Sequence, residues 1–94
     1  MKKITIYDRK EGENHYSLTA EINEEGNLIL TGVDSGPFVK DYFGDYDYEY
    51  WLSVQKEYLS TVLLHLIKER FKTDGKFKEW LQERDIPSDF FSYT

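Results

Sequence analysis

His15-Tyr16-Ser17-Leu18-Thr19-Ala20-Glu21-Ile22 alternates over its whole length. Tyr16, Leu18, Ala20 and Ile22 fall on one side, and His15, Ser17, Thr19 and Glu21 on the other. A period of two with one apolar side marks a half-buried strand of an antiparallel sheet. Asn23-Glu24-Glu25-Gly26 follows as a turn, with Gly26 placed to take a positive φ. Asn27 to Asp34 then returns, carrying Leu28 and Leu30 on one face and Ile29, Thr31 and Val33 on the other.

The rest of the chain extends this pair in both directions. Upstream, Lys3 to Tyr7 alternates with Ile4 and Ile6 on one face, and Arg9 to Asn14, around Gly12, reads as a loop. Downstream, Ser35-Gly36-Pro37 breaks the chain and Phe38 to Gly44 reads as irregular or a short turn. A fourth strand is expected over 46–54. Tyr46, Tyr48, Tyr50, Leu52 and Val54 share one face of it, and Asp47, Glu49, Trp51 and Ser53 share the other.

From Gln55 to Phe71 the period changes. Leu59, Val62, Leu63, Leu66 and Ile67 recur at helical spacing, with Lys68, Arg70 and Lys72 near the C-terminal end, where they suit the helix dipole. Thr73-Asp74-Gly75 ends this helix and offers Thr73 or Asp74 as the cap of a second, about Lys76 to Arg84, with Phe77, Trp80 and Leu81 on one stripe. Pro87 stops it, and the tail Asp89-Phe90-Phe91-Ser92-Tyr93 is expected to dock on the body. The order ββββαα gives an α+β fold: a four-stranded antiparallel meander followed by two helices packed on one sheet face, in a single domain over 1–94.

Composition bounds the chemistry. The chain has 94 residues, 39% apolar and 17% aromatic, enough rigid apolar area for the core of one small domain. It has no cysteine and only His15 and His65 as imidazoles, which removes thiol nucleophiles, thiolate metal sites and most zinc or triad chemistry. His15 is expected to be solvated or paired with a neighbouring acid, and His65 to pair with Glu69 one turn on. Gly32, Gly36 and Gly44 do not have a phosphate-loop spacing, so no cofactor is expected. No apolar stretch follows Met1-Lys2-Lys3 and no run approaches a membrane span, so the cytoplasm is the expected compartment, with no membrane partner.

Charge is unevenly placed. The net charge is −6, yet residues 1–10 carry +3 and residues 11–55 carry −9, with Lys40 the lone base against ten acids. A field of that sign repels phosphate backbones and attracts basic proteins, so the expected partner is a basic protein surface and not nucleic acid. The bases Lys68, Arg70, Lys72, Lys76 and Lys78 read as a solvated helix end.

The most unusual stretch is Asp41-Tyr42-Phe43-Gly44-Asp45-Tyr46-Asp47-Tyr48-Glu49-Tyr50-Trp51, with four acids, six aromatics and no base. Two readings stand side by side. In one, Asp41, Tyr42, Asp45, Tyr46, Asp47, Tyr48, Glu49 and Trp51 form a protein-binding surface, the rings giving contact area and the acids meeting Lys or Arg. In the other, the run is a strand with a ring face in the core and a solvated acidic face. A cation on Asp41, Asp45, Asp47 and Glu49 is disfavoured, because alternate strand positions hold carboxylates about 7 Å apart and the order of a calcium loop is missing.

The strand pair His15–Ile22 and Asn27–Asp34, then Gly32-Val33-Asp34-Ser35-Gly36, then Phe43-Gly44 with Tyr48-Glu49-Tyr50, resembles a family of small bacterial proteins of unknown function. The resemblance implies a bacterial or phage origin and assigns no activity and no site residue. The expected function is a non-enzymatic acidic protein-binding domain, an immunity or inhibitor protein being its most concrete form. Two alternatives stand beside it. One is an enzyme or small-ligand domain with a pocket gathering at least two of Asp34, Asp41, Asp45, Asp47 and Glu49. The other is a structural homo-oligomer, such as a homodimer, through the open sheet face.

Overall fold

Antiparallel hydrogen bonding organises the first half of the chain. The computed structural model describes residues 2–93. Its elements are strands β1 (Lys3–Glu11), β2 (Asn14–Ile22) and β3 (Leu28–Ser35), helix α1 (Pro37–Phe43), strand β4 (Asp47–Val54), a 3-10 turn (Lys56–Tyr58), and helices α2 (Leu59–Arg70) and α3 (Asp74–Glu83). The sheet order β1-β2-β3-β4, every neighbour antiparallel, is the expected meander, and the class is α+β. Contacts divide the chain into two compact units, Met1–Leu59 and Ser60–Thr94. No helix among the described residues is long and apolar enough to cross a membrane.

Register assigns the faces of the sheet. The rows Ile4–Ala20–Leu30–Leu52, Tyr7–Leu18–Gly32–Tyr50 and Arg9–Tyr16–Asp34–Tyr48 share one side, termed face A. The rows Thr5–Thr19–Thr31–Trp51, Asp8–Ser17–Val33–Glu49 and Lys10–His15–Ser35–Asp47 share the other, face B. A register shift between Thr5 and Tyr7 makes Ile6 the extra residue of a bulge. The place after Ile4 in the face A pattern therefore goes to Tyr7, not to Ile6 as simple alternation predicts.

Two further expectations are corrected in this unit. Arg9 to Asn14 is not a loop: β1 runs to Glu11, β2 starts at Asn14, and only Gly12 and Glu13 turn. Charged residues hid the strand, which an edge position tolerates on both faces. Phe38 to Gly44 is not irregular either. Pro37 opens α1, where a missing N–H costs nothing. The next free donor, Phe38 N–H, is accepted by Asn14 Oδ1 at 2.9 Å, from a side chain 24 residues earlier. Gly36 N–H donates to the Tyr46 carbonyl at 2.9 Å and closes the excursion at its base. Val39 of α1 is fully buried, alone among the described side chains.

Polar side chains fix the other turns. Asn23 Oδ1 accepts from the backbone N–H of Glu25 and Asn27, at 3.1 and 3.0 Å, and shapes the β2–β3 turn. Asn27 Oδ1 accepts from Lys56 N–H at 2.9 Å and ties the end of β4 to that turn.

In the second unit, α2 starts at Leu59 after the 3-10 turn and stops at Arg70, shorter than the predicted 55–71. Thr73 caps α3 as expected, its hydroxyl accepting from Lys76 N–H at 3.1 Å. Phe71, Phe77 and Trp80 form one ring cluster, with centroids 5.1 to 6.1 Å apart. The tail docks less than predicted: Phe90 borders a depression with Phe77 and Leu81 and has the Lys78 ammonium 5.4 Å from its centroid, while Phe91 and Tyr93 pair edge to face with each other and stay exposed. The predicted His65–Glu69 pair is absent from the ion pairs of the described residues.

Candidate interaction surface

The segment 41–51 crosses three local structures. Asp41 and Tyr42 lie on α1, Asp45 and Tyr46 in the bend that follows, and Asp47, Tyr48, Glu49 and Trp51 on β4, an edge strand. Tyr46 and Asp45 thus precede the strand, so Asp45 does not extend the Asp47–Glu49 strand alternation as the sequence predicts. Tyr48 points to face A, and Asp47, Glu49 and Trp51 to face B. All eight residues are exposed. Tyr42 is 74% exposed, Tyr46 57%, Trp51 61% and Tyr48 38%, so these rings are not core; only Tyr50, their neighbour, is half-buried.

The rings are ordered by contact. Phe38, Tyr42, Phe43, Tyr48 and Tyr50 form a continuous chain with centroid separations of 5.8, 5.4, 4.2 and 5.3 Å. Its tightest step stacks Phe43 on Tyr48 with 7° between the planes. That stack docks α1 on the first part of β4. Phe38 and Phe43 belong to this array but were missing from the predicted set, because their partnership depends on α1 being helical. Lys40 Nζ donates to the Gly44 carbonyl at 3.0 Å and sits 5.8 Å from the Tyr46 ring. Asp41, Asp45, Asp47 and Glu49 take part in none of the ion pairs among the described residues.

Register also assembles a cluster that the sequence does not announce. The Arg9 guanidinium lies 5.0 Å from the Tyr7 ring and 5.3 Å from the Tyr16 ring on face A. Beside them the Tyr50 hydroxyl donates to Asp34 Oδ1 at 3.4 Å. The neighbouring Tyr7 phenol, partial burial and the Asp34 carboxylate, in that order, push the Tyr50 hydroxyl above the ordinary tyrosine value. Tyr50 therefore keeps its proton. On face B, His15 Nε2 meets Asp8 Oδ1 at 2.5 Å, the acid pairing expected for that imidazole. Continued alternation of Tyr7 and Arg9 past residue 8 is the signal that would have found the face A cluster.

No three His, Asp or Glu side chains among the described residues converge as a metal site. Five depressions stand out on the two units, and Asp34, Asp41, Asp45, Asp47 and Glu49 line none of them. No family model, curated protein or solved structure matches the chain.

Proposed function

We propose that this chain is a non-enzymatic protein-binding domain of bacterial or phage origin that grips a basic protein surface through its acidic, ring-rich segment 41–51. An immunity or inhibitor role is the most concrete form of that reading. One observation supports it most: all eight residues are exposed, their carboxylates make no ion pair among the described residues, and the Tyr42 and Tyr48 rings are already ordered against Phe43. Ordered rings lose little freedom on binding, and unpaired carboxylates steer and orient a cationic partner. A basic enzyme or toxin whose own site is cationic has the matching chemistry.

The test compares the native chain with the triple variant Asp45→Lys, Asp47→Lys, Glu49→Lys. Each is immobilised and challenged with lysate of the source cell, and captured proteins are purified and titrated. Basic proteins are expected on the native chain, with Kd rising as salt rises from about 50 to about 300 mM. The triple variant is expected to weaken binding at least about tenfold, or ~1.4 kcal/mol. The same proteins captured with unchanged Kd would refute the reading.

A further inference from the structure

β4 and β1 are the two edges of the sheet, and each leaves one row of backbone N–H and C=O groups without a strand partner. Such a row templates another strand unless bulges, prolines or charged side chains, lysine above all, blunt it. β1 carries these devices: the bulge between Thr5 and Tyr7, and Lys3, Arg9 and Lys10. β4 carries only the charges of Asp47 and Glu49, both in its first half. It reads DYEYWLSV, with no proline, lysine or arginine, and its register against β3 is unbroken. It also holds Trp51 and Leu52, both more than 60% exposed, and Trp51 stacks on no other ring among the described residues.

We infer that β4 pairs antiparallel with β4 of a second copy, about a two-fold axis at Trp51, merging two sheets into one. Charge placement selects the direction. The acids of β4, Asp47 and Glu49, occupy its first half, and its second half is neutral. Parallel pairing would set those acids beside their own copies. Antiparallel pairing about Trp51 sets Trp51 against Trp51, Tyr50 against Leu52, and Glu49 against Ser53 of the second copy. No like charges are then opposed, and the central positions become aromatic or apolar cross-strand pairs, the stabilising kind. An axis perpendicular to the sheet keeps face A of both copies on one side. The pairing does not rest on the basic-partner reading: it uses the backbone edge and forms without any other protein.

The test uses the full chain in sedimentation velocity over a concentration series, with two probes of register. A monomer–dimer equilibrium is expected. Ser53 is exposed, so Ser53→Lys and Ser53→Glu leave the fold intact, which circular dichroism verifies. The first places a cation opposite Glu49 of the second copy and the second places an anion there. The dimer Kd is expected to fall for Ser53→Lys and rise for Ser53→Glu, by about threefold or more each way at low salt. Trp51→Cys, in a chain otherwise free of cysteine, is expected to cross-link the dimer on mild oxidation, because an axial residue faces its own copy. A monomer at every concentration overturns the inference. So does growth beyond the dimer, which is head-to-tail β1–β4 pairing. A dimer indifferent to both Ser53 variants overturns it in favour of face-to-face packing. A folded Trp51→Cys dimer that does not cross-link removes the axis from Trp51.

Discussion

Tyr50 crosses the sheet over Gly32, and the two residues depend on each other. Gly32 stands directly opposite Tyr50 on β3, and a Cβ added there would lie 2.0 Å from Tyr50 Cζ. Any side chain at 32 must expel the ring and break its contact with Asp34. Gly32→Ala is therefore expected to destabilise the sheet unit by about 1–3 kcal/mol, read by urea unfolding. The loss should shrink when Tyr50→Ala is already present, since the two then share one cause. The Tyr50 proton gives a second expectation. Its folded-state pKa is raised, so the stability it contributes is complete below the ordinary tyrosine value of 10.0 and is lost as pH rises above it. Unfolding free energy should decline from about pH 10 upward in the native chain. Tyr50→Phe, which keeps the ring over Gly32, should decline less steeply.

Among elements, periodicity made the inner strands and α2 legible, because β2, β3 and α2 each keep one period over eight residues or more. Elements outside that pattern were hidden for separate reasons. The second half of β1 is charged at both faces, and an edge strand needs no apolar side to hold its ladder. α1 spans 7 residues, too few for a helical period to declare itself, and its first free donor is satisfied by Asn14 from β2. A contact between residues 14 and 38 has no local signal. The same cause limited the candidate surface. Its eight exposed residues could be named from composition, but the Phe38–Tyr50 ring chain and the Arg9 cluster needed α1 and the register. The cap of α3 is a local signal, and it was readable. Thr73→Ala removes the acceptor of Lys76 N–H and is expected to cost about 1 kcal/mol, concentrated in the α2–α3 unit. Amide exchange resolved by residue checks this, with the first turn of α3 losing protection before β2 and β3.

Across the molecule, charge follows the division into units. Residues 1–59 hold twelve acids and six bases, and residues 60–94 hold six of each. The excess negative charge thus belongs to the sheet unit, where segment 41–51 also lies. This is why a charge reversal confined to Asp45, Asp47 and Glu49 is a sharp test: it inverts the sign of that segment while the balanced unit is untouched. It also predicts that salt acts on binding through one unit only. The chain's 2 tryptophans follow the same division, with Trp51 in one unit and Trp80, 4.1 Å from the Arg84 guanidinium, in the other. Each half thus carries its own fluorophore, one in water and one half-shielded. A single Trp→Phe exchange leaves an emitter that reports on one half alone, so the melting of the two can be followed separately by light.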